Sequence, residues 1–208
     1  MSGENGYSVE IIDDKTNYLP IYGSSIDDFN LDGKMDVYVC QGYPAYKNDV
    51  EPNFNYSGLF LLQDKAGEFV SYKGHEMGLS RDMFSPRCIL AHDLNNDNKP
   101  EIIIGDYGKS YMTYINRSKN KAFKLGIIGD DVSIFGAKIK IKYDSGDTGP
   151  LYVYTPRKGY RTATTPQFCL GYEKNRKVVG LNVQINNNEQ YIPVKPNVYR
   201  YTLELNSF

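Results

Sequence analysis

The chain has 208 residues, a formal charge of −1 and a 40% hydrophobic content, enough to bury one large core or two small ones. The near-neutral balance offers no basic face for nucleic acid or an anionic membrane. No apolar run reaches the roughly 18 residues of a membrane-inserting helix.

Residues 1–6 have neither the basic start nor the apolar stretch of a signal peptide. That points to a removed leader, an excerpt of a longer chain, or a virion or intracellular setting. Tyr7-Ser8-Val9-Glu10-Ile11-Ile12 reads as a short strand and Asp13 to Asn17 as a turn. Ser24-Ser25-Ile26-Asp27 then leads into an acidic loop, Asp28-Phe29-Asn30-Leu31-Asp32-Gly33-Lys34-Met35-Asp36. Val37-Tyr38-Val39-Cys40 follows as a buried-strand candidate. Residues 41–58 are punctuated by Gly, Pro and Asn and read as a long loop. Gly58 to Val70 reads as two strands joined by a tight turn at Asp64 to Gly67, and residues 71–86 show no clear period.

Arg87-Cys88-Ile89-Leu90-Ala91-His92 enters a second acidic loop, Asp93-Leu94-Asn95-Asn96-Asp97-Asn98-Lys99-Pro100-Glu101, which exits into Ile102-Ile103-Ile104-Gly105. Tyr111 to Asn116 is a strand, Arg117 to Lys121 a basic turn, and Ala122-Phe123-Lys124-Leu125 a closing strand comparable to the one around Phe69. The order strand, acidic loop, strand, hairpin thus recurs over roughly 55 to 65 residues, the scale of propeller-like repeats. From about residue 131 the acidic loops stop. Ala137 to Tyr143, Leu151 to Tyr154, Val178 to Ile185 and Tyr199 to Leu205 read as strands of a compact antiparallel domain, with turns at Asp144 to Pro150 and Asn186 to Glu189. No stretch carries a helical stripe. The expected organisation is all-β, with calcium-loop repeats over residues 1–130 and a β-sandwich-like domain over residues 131–208.

The two loops carry the chemistry. Calcium takes six to eight hard oxygen ligands and tolerates irregular geometry, and alternate residues of a tight loop can turn toward one centre. Asp28, Asn30, Asp32 and Asp36, with the main-chain carbonyl of Lys34, form the first expected set. Asp93, Asn95, Asp97 and Glu101, with the carbonyl of Lys99, form the second, which departs from the first at Asn98 and Pro100. Gly33 and Asn98 hold position 6, where a sharp turn asks for positive φ. An EF-hand needs a bidentate Glu at position 12 and flanking helices; here Val39 and Ile104 stand there and the flanks read as strands. An Asx-rich surface turn without metal is the competing account, and two loops of three carboxylates each weigh against it.

The first loop, with Val37-Tyr38-Val39 after it, resembles the FG-GAP/VCBS repeat, the calcium-binding blade of integrin-α-like β-propellers, at every position of Asp-x-Asn/Asp-x-Asp-Gly-x-x-Asp. The second matches with Asn98 for Gly and Glu101 for Asp. The C-terminal region is similar to the ASPIC/UnbV domain that follows such repeats in cartilage-acidic-protein-like chains. The matching residues are Gly136 to Ile141, Gly159-Tyr160, Pro166 to Gly171 and Val179 to Ile185, with Ile185-Asn186-Asn187-Asn188 where that family has Trp-Pro-Ser-Gly. A propeller closes with about four to eight blades and two loops mark two. The alternatives are the end of a longer propeller, a ring completed by several chains, or a two-repeat structure packed on the C-terminal domain.

The three cysteines, Cys40, Cys88 and Cys169, form no Cys-x-x-Cys pair and each sits in an apolar run, so they read as small buried thiols. Nothing reads as a catalytic motif: His75 and His92 are the two histidines, and no nucleophile elbow, Walker loop or HExxH occurs. Arg157-Lys158-Gly159-Tyr160-Arg161 is a basic-aromatic patch that reads as a solvated hairpin face or a site for a glycan or acidic partner. Two sequons, Asn55-Tyr56-Ser57 and Asn116-Arg117-Ser118, fall in expected turns. The expected function is a calcium-stabilised, non-enzymatic adhesion or recognition module, extracellular or at the cell surface, with a protein or glycan ligand. A structural component of a larger assembly, such as a virion or surface fibre built by homo-oligomerisation, is the alternative, and a sugar hydrolase comes third.

Overall fold

Among the described residues, short apolar runs broken by Gly, Asn and Asp turns fold into fourteen strands in four sheets. The computed structural model describes residues 21–42, 58–79, 85–107, 111–155 and 166–204. The expected strand at Tyr7 to Ile12, the turn after it, most of the loop at 41–58, the Arg157 to Arg161 patch, the Gly159-Tyr160 match and the Asn55 sequon lie outside these residues. The fold is all-β; the described helical elements are a single 3₁₀ turn at Gly74–Met77 and a single α-helical turn, α1, at Asp131–Ile134.

The first sheet is an antiparallel meander of β1 (Ile21–Asp27), β2 (Asp36–Gln41), β3 (Leu59–Gln63) and β4 (Phe69–Lys73). The β3–β4 turn is the expected one, with the Gly67 amide donating to the Asp64 carbonyl at 3.2 Å. The second sheet repeats the plan with β5 (Pro86–His92), β6 (Glu101–Asp106) and β7 (Tyr111–Tyr114). β1 packs against β5. There the Arg87 guanidinium lies between the Tyr22 and Tyr107 rings, 4.0 and 4.8 Å from their centroids. Tyr38, Cys40, Phe60, Ile89 and Ile104 are among the side chains that form the core the two sheets share with Phe29 of the first loop. Burial pushes the Cys40 thiol up to about 12. All three cysteines are free thiols, with Cys40 and Cys169 buried and Cys88 half-buried.

The strand expected to close the second repeat does something else. β8 (Ala122–Ile128) pairs antiparallel with β11 (Gln167–Gly171) and parallel with β14 (Arg200–Glu204). Phe123, Leu125 and Ile127 project into the C-terminal core, so this strand finds its apolar partners there and the second repeat keeps three strands. The opposing sheet has the order β10 (Tyr152–Val153), β9 (Lys138–Tyr143), β12 (Val178–Ile185), β13 (Asn188–Pro193). In β9 the alternation reads through directly: Ile139, Ile141 and Tyr143 are buried and the lysines between them are not. The two sheets enclose one core, as a sandwich does. β13 is polar and mostly exposed, which is why no apolar pattern announced it.

Candidate metal loops at the junction of the two cores

Each acidic loop connects the first two strands of its sheet, and the two share one hydrogen-bonding template. In the first, Asp28 accepts the amides of Asp32 (3.0 Å) and Gly33 (2.9 Å), Asn30 Oδ1 accepts the Asp32 amide (2.9 Å), and Asp32 Oδ1 accepts the Lys34 amide (3.1 Å). In the second, Asp93 accepts the amides of Asp97 (3.0 Å) and Asn98 (3.1 Å), Asn95 Oδ1 that of Asp97 (2.9 Å), and Asp97 Oδ1 that of Lys99 (3.0 Å). The position-9 carboxylate closes both: Asp36 accepts the Phe29 amide at 3.1 Å and Glu101 the Leu94 amide at 2.8 Å. Even the flanking ion pairs correspond, Lys34 to Asp32 at 3.4 Å and Lys99 to Asp97 at 3.6 Å.

The backbone follows the same template. Gly33 and Asn98 take positive φ (87° and 70°), as position 6 requires. Position 4 also does so, at Leu31 (59°) and Asn96 (65°), a feature the residue types do not signal at Leu31. Leu31 is fully buried, and that packing holds a side chain in a region it disfavours.

The loops stand between the repeat sheets and the C-terminal sandwich. Tyr152 Oη contacts Asp28 Oδ2 at 3.4 Å, and Gly171 lies so close that a Cβ there would overlap the Asp28 carboxylate and sit 2.8 Å from the Leu31 Cα. Asn116 Nδ2 donates to the carbonyls of Phe29 (3.0 Å) and Pro100 (3.2 Å), and Ser118 Oγ and Asn120 Nδ2 both donate to the Asn30 carbonyl. The sequon asparagine is therefore a structural tie whose amide nitrogen is engaged. Beside the first loop a groove of about 640 Å³ opens, with Phe29, Phe60, Leu79, Ile102, Tyr114 and Ile115 among the side chains that line it.

The electrostatics of the two loops differ. Asp28 and Asp36 are fully buried, and no basic side chain among the described residues pairs with either. Burial, offset in part by the Gly33 amide and reinforced by Asp36, Asp32 and Asp27, pushes Asp28 up to about 8. Burial likewise pushes Asp36 up to about 6, against the Gln63 amide that donates to it at 3.0 Å. In the second loop Asp93 is also buried, but Lys124 Nζ stands 2.8 Å from its Oδ2.

The donor set fits a hard cation: oxygen throughout, with two buried carboxylates that repel one another. Each carboxylate oxygen that accepts one amide retains a lone pair. Among the described residues no three His, Cys, Asp or Glu side chains are gathered into a metal-holding group; the loop carboxylates accept amides of their own loops and, at Asp36 and Glu101, of Gln63 and Asn116 as well. Asp28, Asn30, Asp32 and Asp36 are the side chains that would hold the ion in the first loop, and Asp93, Asn95, Asp97 and Glu101 their counterparts in the second. No protein-family model matches the chain, and no curated protein matches it.

Proposed function

We propose that this chain is a calcium-stabilised, non-enzymatic recognition module of the extracellular space or cell surface, built from two FG-GAP/VCBS-like repeats and an ASPIC/UnbV-like sandwich, with a protein or glycan as ligand. One observation carries the reading. The first loop buries Asp28 and Asp36 without a basic partner among the described residues, on the backbone template that the second loop repeats. A fold that buries two carboxylates in this way, at the cost of keeping protons on them, gains from a cation that displaces those protons and that the carboxylates and Asn30 can share. Calcium would act structurally, tightening the joint between the repeat sheets and the sandwich through Asp28, Gly171 and Tyr152.

A second reading is favoured by the open sheets. Among the described residues the two repeat sheets do not close a ring. Exposed apolar and aromatic side chains, Ile21 at 63% and Tyr111 at 77%, stand on β1 and β7. Assembly with further copies, as in a virion or surface fibre, would cover them. Calorimetric titration of chelator-stripped protein with Ca²⁺ tests the shared premise. Saturable binding with a calcium-dependent rise in melting temperature is expected; neither heat nor shift would sink the reading. Sedimentation of the calcium-loaded chain separates the two settings: a monomer supports the recognition module, and a symmetric oligomer the assembly.

A further inference from the structure

The two loops differ in what faces the position-1 carboxylate. In each, the Oδ2 of the position-1 aspartate accepts the amide of position 6. The other neighbour of that oxygen is the neutral Tyr152 hydroxyl in the first loop, at 3.4 Å, and the Lys124 ammonium in the second, at 2.8 Å. Lys124 Nζ also reaches Asn96 Oδ1 at 3.1 Å. Its side chain is 14% exposed and that of Asp93 1%, so the pair is largely withdrawn from water.

A second cation stands next to it. Arg200 of β14 lies directly opposite Lys124 of β8 in the parallel register. Its Nε donates to Asn98 Oδ1 at 2.9 Å, and its Nη2 donates to the Asn96 carbonyl. In the second loop Lys124 meets Asp93, Lys99 meets Asp97 and Arg200 meets Asn96 and Asn98, whereas in the first loop, among the described residues, Lys34 on Asp32 is the ion pair and Asp28 and Asp36 have no basic partner. An ammonium at hydrogen-bond distance from the carboxylate occupies the space and the charge that an ion would need.

We propose that Lys124 is the resident cation of the second loop, so that this loop takes no calcium and the chain holds one ion, in the first loop. The inference rests on the calcium reading of the first loop for the ion count, and on the Lys124 geometry alone for the second. Its consequence is a division of labour. The second loop is docked permanently on β8 and β14 by Lys124 and Arg200. The first loop docks on Gly171 and Tyr152 in a way that calcium strengthens.

The test is the number of Ca²⁺ ions bound per chelator-stripped full chain, measured by calorimetry on the natural protein and four variants. The natural chain binds one ion, Asp32→Ala none, Asp97→Ala one, and Lys124→Met two. Lys124→Gln is the substitute should the Met variant fail to fold. Two ions on the natural chain, or an ion lost in Asp97→Ala and kept in Asp32→Ala, would overturn the proposal. If the natural chain binds none, the calcium reading of the first loop falls. The lysine variants still decide the second loop: one ion gained supports Lys124 as its cation, and none gained overturns it.

Discussion

Replacing Asp28 by asparagine should raise the melting temperature of the metal-free protein and abolish its response to calcium. Asp28 ionises near 3.8 when free and is pushed up to about 8 by burial beside Asp36 and Asp32. At pH 7 the unfolded chain has released this proton and the fold has to retain it. The penalty spans about three pH units, or roughly 4 kcal/mol at 1.36 kcal/mol per unit. The introduced amide carries no charge but can accept only through its Oδ1, so one of the Asp32 and Gly33 amides loses its partner. That loss costs about 1–3 kcal/mol. The net gain of about 2 kcal/mol corresponds to a rise of about 4–8 °C for a chain of this size. Differential scanning calorimetry at pH 7, with chelator and with millimolar Ca²⁺, gives the readout. The natural protein should gain about 2.7 kcal/mol from calcium at a hundredfold excess over its dissociation constant, and the variant nothing. A variant that melts below the natural protein in chelator, or gains as much from calcium, would refute the reasoning.

Gly171→Ala should weaken calcium binding and the fold together, because its Cβ overlaps the Asp28 carboxylate and presses on the Leu31 backbone. Overpacking of this kind costs about 1–3 kcal/mol, readable in a urea melt, and unchanged calcium affinity would contradict the placement. Asn116→Asp keeps the shape but removes a donor from the Phe29 and Pro100 carbonyls and sets a charge against them; a loss of about 1–3 kcal/mol is expected in the same assay. Asp28 and Asp36 both hold protons in the fold that the unfolded chain releases, so the metal-free protein should lose stability as pH rises from about 4 through about 6 and 8. Chelated urea melts at pH 5 and pH 8 check the sign. For the same reason calcium should bind more tightly as pH rises through that window, releasing protons, which calorimetry in buffers of different ionisation heat detects.

The structure keeps the strands that alternate cleanly in sequence and the short apolar runs beside the loops, Val37 to Cys40 and Ile102 to Gly105. Ile139, Ile141 and Tyr143 announced β9, and the apolar run of Val178 to Ile185 announced β12, because one face of each is buried. β13 carried no such signal, since a polar strand is fixed by its partner and not by its own pattern. The destination of β8 was also invisible. Phe123 and Leu125 fit a fourth strand of the second sheet as well as a sandwich strand, and only the competing partners β11 and β14 decide between them. In the loops, the spacing of Asp28, Asn30, Asp32 and Asp36 and of their counterparts from Asp93 was legible, down to positive φ at Gly33 and Asn98. Lys124, Gly171 and Asn116 were not. Each lies far along the chain from the loop it touches, and nothing local to it distinguishes a loop partner from an ordinary strand or turn residue.

The central claim is a cation in the first loop, and anomalous diffraction from crystals grown in calcium addresses it most directly. The account predicts one calcium peak, with oxygens of Asp28, Asn30, Asp32 and Asp36 at about 2.3–2.6 Å, and the Lys124 ammonium where a second would lie. A map with no peak at the first loop would contradict it.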